Sequence, residues 1–137
     1  MIVVLDASAA LEIVLTGKRA ALLAEQVEGA AWVIAPQLFL AEVSNAFWKY
    51  HHFHHLPLSR CEEALDDAVS LIDDFIDGKD LYREAFAQAC LAERRVYDMF
   101  YLVLARRNNA LLVTTDKGLT ALASKYAVRV TSSRDHT

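Results

Sequence analysis

The chain alternates short, wholly apolar runs with longer stretches whose apolar positions recur at helical spacing. Ile2–Leu5 is a β-branched run stopped by Asp6, the pattern of a strand buried on both faces of a parallel sheet. Residues 32–35, 110–114 and 128–130 repeat that pattern. Between them the sequence predicts helices. The first is capped by Ser8 and ended by Gly17. A second spans 18–28, where Ala21, Leu22, Ala24 and Val27 share a face and Gly29 supplies the stop. Pro36 opens a third over 37–51, unusually apolar and finished before Pro57. Ser59 with Glu62 three residues on forms a capping box for a fourth helix, continuing to about Phe75. Asp77-Gly78 marks a turn, and Leu81-Tyr82 a minimal strand. Helices over 83–93 and Val96–Arg107 follow, the latter terminated by Asn108-Asn109, and a closing helix covers 119–125. This order predicts an α/β three-layer fold with a short, mainly parallel central sheet flanked by helices.

Size and composition narrow the picture. At 137 residues, 55% of them hydrophobic, the chain fits one domain over its whole length. Four glycines and two prolines leave no room for a flexible linker. The two cysteines, Cys61 and Cys90, have neither disulfide-scaffold nor zinc-ribbon spacing, which fits a reducing compartment. No apolar run reaches the roughly 18 residues that a membrane span needs, so a cytoplasmic protein is expected. A net charge of −4 argues against a surface that grips nucleic acid everywhere, and any polyanion would need a local site. Basic pairs at Lys18-Arg19, Arg94-Arg95 and Arg106-Arg107 read as solvated helix faces.

The candidate chemistry lies in four acids set in apolar surroundings. Asp6 and Asp116 follow strands, at the carboxyl edge where open α/β sheets bind ligands. Asp98 stands at the start of an apolar helix, and Glu42 lies on the apolar third helix with Asn45 three residues on. Taken singly, each acid has an ordinary reading: a turn residue, a cap, an exposed helical acid. Jointly they describe a pocket of mutually repelling charge that a hard divalent cation would make tolerable. The run His51-His52-Phe53-His54-His55 reads as the polar end of the third helix, since a zinc site needs further ligands nearby.

Four segments in order then resemble the PIN-domain ribonucleases, and within them the VapC-like toxins of type II toxin–antitoxin systems. These are Val4-Leu5-Asp6-Ala7-Ser8, Ala41-Glu42-Val43-Ser44-Asn45-Ala46, Val96-Tyr97-Asp98 leading into Tyr101-Leu102-Val103-Leu104-Ala105, and Leu112-Val113-Thr114-Thr115-Asp116-Lys117. The resemblance covers essentially the full chain. It implies that Asp6, Glu42, Asp98 and Asp116 are catalytic and that Asp6, Asp98 and Asp116 hold Mg²⁺ or Mn²⁺. Ser8 and Asn45 resemble the polar residues beside that acidic cluster, and with Thr115 they are expected to donate hydrogen bonds around it. It also implies an RNA substrate, a VapB-like antitoxin partner and a homodimer. Met99 and Phe100 depart from the small residues frequent after the acid of the third segment, and Gly118 stands where some relatives carry a polar or acidic side chain.

Rival readings fit less well. A phospho-receiver domain needs an acidic pair after the first strand, and a haloacid-type phosphatase needs a second Asp at position 8, where Ser8 stands. The non-enzymatic alternative is a PIN-like module that binds RNA or protein without nuclease activity.

Overall fold

The computed structural model describes residues 1–131. Five strands alternate with seven α-helices: β1 (Ile2–Leu5), α1 (Ala7–Val14), α2 (Ala20–Glu28), β2 (Trp32–Pro36), α3 (Leu38–His54), α4 (Leu58–Ser70), β3 (Asp74–Ile76), α5 (Tyr82–Ala92), α6 (Val96–Arg107), β4 (Leu111–Val113), α7 (Lys117–Lys125) and β5 (Arg129–Val130). The sheet is parallel throughout, in the order β3-β2-β1-β4-β5. Val3 pairs with Val33 on one side and with Leu111 on the other, so the first strand becomes the middle of the sheet.

Side chains alternate across this middle. Val4, Ile34 and Leu112 pack under α5, α6 and α7, whereas Val3, Leu5, Val33, Ala35 and Val113 pack under α1 to α4. Both faces of the strands are therefore buried, which is why they read as unbroken apolar runs. After β1 the chain moves toward one edge, and with β4 it returns to the other side of β1. The reversal falls between β1 and β4, and α1 and α7 leave their carboxyl ends toward opposite faces. Such a switch point leaves a crevice at the strand ends.

Several expected boundaries move. The fourth helix stops at Ser70 rather than near Phe75, because Asp74–Ile76 peels off as an edge strand. That strand is pinned by Trp32 Nε1 donating to Asp74 Oδ2 at 2.6 Å, and the residue before it by the Val33 amide donating to Asp73 Oδ2 at 2.8 Å. Ser59 caps nothing, since α4 begins one residue earlier behind Pro57. Leu81 and Tyr82 are not a strand: a 3₁₀ turn over Gly78–Asp80 leads straight into α5. Chain reversal after helices falls to left-handed residues that are not glycine, namely Thr16, His55, Glu93, Asn109 and Ala127. Gly29 follows α2 with an ordinary right-handed backbone, φ −79°. Among the described residues no helix is long and apolar enough to cross a membrane.

Candidate active site

Asp6 is the first residue past β1, held in the sheet by its own amide donating to the Val113 carbonyl at 3.1 Å. Only 5% of it is exposed. It caps α1, a role assigned to Ser8 on sequence grounds: Asp6 Oδ1 accepts from the Ala9 amide at 2.9 Å and from Ser8 Oγ at 2.8 Å. Its other oxygen accepts from Thr114 Oγ1 at 2.5 Å. These donors favour the ionised form, but burial outweighs them and the neighbouring Glu42 charge adds to it. The carboxyl is pushed from its ordinary value near 3.8 up to about 6.

Glu42 projects from α3 toward the same crevice, and Tyr101 Oη on α6 donates to its Oε1 at 2.6 Å. Burial first, and then the Asp98 charge, raise the Glu42 pKa, opposed by the Tyr101 hydrogen bond and the Arg95 charge. Tyr101 is in turn held firmly in its neutral, donating form by burial and by the Glu42 and Asp6 charges. Asp98 lies in the first turn of α6 rather than at its cap, with only 14% of its side chain exposed, and Arg94 Nη2 reaches its Oδ2 at 3.2 Å. Three acids from β1, α3 and α6 are thus close enough that Glu42 feels Asp98 and Asp6 feels Glu42.

Asp116 joins them through hydrogen bonds. It caps α7, with Oδ1 accepting from the amides of Gly118 at 2.8 Å and Leu119 at 3.1 Å. Its own amide donates to Thr114 Oγ1 at 3.0 Å, and the Thr115 amide donates to Ser8 Oγ at 3.1 Å. Ser8 and Thr114 therefore tie the end of β1 to the end of β4.

The expected donors are redistributed. Ser8 Oγ donates to Asp6, the second hydroxyl on that acid belongs to Thr114 rather than Thr115, and Thr115 contributes its backbone amide. Asn45 is exposed on α3, and among the described residues no hydrogen bond ties it to the acids. Tyr101, Thr114 and Arg94 are site residues that the sequence reading passed over. For Tyr101 the signal was its position three residues beyond Asp98, on the same helix face. The histidines end α3: His51 Nδ1 lies 2.9 Å from the Leu56 carbonyl and the His52 ring stacks on Trp48 at 4.8 Å.

Among the described residues no three Asp, Glu, His or Cys side chains stand close enough to enclose a metal ion by themselves. The donors present nevertheless suit a hard cation. All are oxygens, and Asp6 is a buried carboxylate whose hydrogen-bond donors, Ala9, Ser8 and Thr114, are all uncharged. Mg²⁺ favours such a half-open set, since it keeps several waters and takes one or two carboxylates plus substrate phosphate rather than a protein cage.

Comparison with known proteins agrees with this architecture. The family model described as the PIN domain matches residues 3–125. Among solved structures, the crystal structure of PAE2754 from Pyrobaculum aerophilum superposes with a TM-score of 0.71, covering 88% of this chain and 86% of that one at 22% identity. At that identity the likeness is one of fold. No curated protein matches the chain.

Proposed function

We propose, on the premise that the chain belongs to the PIN-domain family, that it is a Mg²⁺- or Mn²⁺-dependent endoribonuclease of the VapC-like toxin type. PIN domains are generally nucleases. The observation that carries the reading is Asp6: a carboxylate sunk at the switch point of the sheet, raised to about 6, and within electrostatic reach of a second acid. Stability alone does not favour such a residue, whereas a phosphate-handling cation site does.

In this reading Asp6 and Asp98 hold the principal ion, and Asp116 helps hold it or a second one. A divalent ion, when bound, stabilises charge on the phosphate oxygens and eases the ionisation of water. The protein's part is placement. Ser8, Thr114 and the Ala9 amide fix the Asp6 carboxylate in one orientation. Tyr101 holds Glu42 by Oε1, and its other oxygen takes the role of orienting the attacking water and accepting its proton. Burial and the Asp98 charge raise the Glu42 pKa, which makes it a better proton acceptor than an ordinary exposed carboxylate. Single-stranded RNA, whose unstacked nucleotides enter a crevice, is the proposed substrate.

A purified-protein assay on single-stranded RNA tests this directly. Cleavage should require Mg²⁺ or Mn²⁺, cease with chelator, and be lost in both Asp6→Asn and Asp98→Asn. Cleavage that persists in either variant would refute the site, and a chain inert under all conditions would favour the binding-module alternative. The toxin role rests on the resemblance alone. It predicts growth arrest on expression, relief by a VapB-like antitoxin encoded next door, and a homodimer in light scattering.

A further inference from the structure

Gly118 has no conformational reason to be glycine. It sits in the first turn of α7 without a left-handed backbone, where any helix former would serve. The reason is spatial. A Cβ placed there would fall 2.6 Å from Nη2, 3.1 Å from Nη1 and 3.3 Å from Cζ of Arg94. The guanidinium therefore rests on bare backbone at the start of α7 while its Nη2 lies 3.2 Å from Asp98 Oδ2 at the start of α6. One side chain spans two of the elements that carry the acids, and only the missing side chain at 118 lets it lie there.

We infer that Arg94 is a built-in counter-cation of Asp98, seated by Gly118, that competes with the divalent ion for this carboxylate. The inference rests on the metal-dependent reading above and adds to it a residue that sets how tightly the ion is held. Two consequences follow from the charge alone. Without metal, the guanidinium offsets part of the Asp98 charge that Glu42 feels. With metal, the same positive charge opposes the incoming ion, so occupancy depends on cation concentration instead of being permanent. The arrangement is adjustable because about a third of the Arg94 side chain is exposed, 36% against 14% for Asp98, and a solvated guanidinium swings away at modest cost.

The test is calorimetric titration with Mn²⁺ alone, without RNA, on the full chain. Arg94→Gln should tighten Mn²⁺ binding about three- to fivefold, the scale of a partly exposed ion pair. Gly118→Ala keeps every charge but displaces the guanidinium, and should tighten binding about twofold. The double variant should bind no tighter than Arg94→Gln, because both changes act through one seat. Thermal melting of each metal-free variant checks that it folds, and Gly118→Ala, a favourable helix substitution, serves if Arg94→Gln does not. Unchanged or weaker binding in Arg94→Gln overturns the inference. So does tightening in Arg94→Gln with none in Gly118→Ala, which would mean that the charge acts without being seated. If the unaltered protein takes up Mn²⁺, loses it on Asp98→Asn and is indifferent to Arg94, only this inference falls. If the unaltered protein binds no Mn²⁺ at all, the metal-dependent function falls with it.

Discussion

The carboxyl ends of β1 and β4 each run into an aspartate that caps the following helix, yet the two caps are built differently. Asp116 at the end of β4 takes two backbone amides on a single oxygen, remains partly exposed, and has a residue type that capping alone explains. Asp6 at the end of β1 is flanked by strands on both sides, is almost wholly buried, and spreads three donors over both oxygens. An asparagine would cap α1 without the electrostatic burden. The same local role therefore hides two different situations, and the excess at Asp6 points to function.

The strongest way to break this comparison is kinetic. Asp6→Asn should lower kcat/KM for RNA cleavage about a thousandfold, as for loss of a preorganised electrostatic group. Asp116→Asn should cost about tenfold, since it keeps the cap and acts at the edge of the site. Equal losses would erase the distinction.

Stability separates the two next. The folded pKa of Asp6 lies above its unfolded value, so the native state holds the proton longer. The resulting stabilisation is fully present below about pH 4 and is lost as pH rises through about 6. Metal-free protein should therefore lose about 2 kcal/mol at this site between pH 4 and 7. Urea titrations across that range, with Asp6→Asn as the flat reference, measure it. The variant should be the more stable protein at pH 7.5, an advantage that added Mg²⁺ removes by stabilising the unaltered chain.

Thr114→Val removes the donor to Asp6 Oδ2 and should destabilise the fold by about 2 kcal/mol at neutral pH, a loss that lessens in acid as Asp6 takes up its proton. The smallest effect is expected at the other cap. Asp116→Ala should cost about 1 kcal/mol through fraying of α7, visible in amide exchange there. Its sign is opposite to that of Asp6→Asn, which sharpens the contrast most economically.

The same contrast governs how much the sequence revealed. β1, β2 and β4 were legible because burial on both faces leaves an uninterrupted apolar run, and Asp6 was conspicuous because it ends such a run. β3 was not. As an edge strand of three residues beginning with Asp74, it owes its place to a tether from Trp32, a contact between residues 42 apart that no local pattern contains. The Ser59 box misled because Pro57, with its fixed φ, takes the cap position two residues early. Thr114 was overshadowed by Thr115 because either hydroxyl suits a strand end, and the pleat that turns one of them toward Asp6 is a property of the folded sheet. Asp6, Glu42 and Asp98 could be picked out one by one in the sequence, but the open spacing between them could not, because it depends on how elements far apart in the chain pack together.

The bond from Thr114 to Asp6 closes a loop of 108 residues, the longest-range side-chain contact in the site. β1 precedes β4 in the chain but becomes a middle strand only when β4 pairs beside it. A polypeptide interrupted before β4 thus carries Asp6, Glu42 and Asp98 without the strand that walls the crevice. The site proposed above is therefore assembled only once β4 has paired, and a fragment that stops short of β4 should be inert.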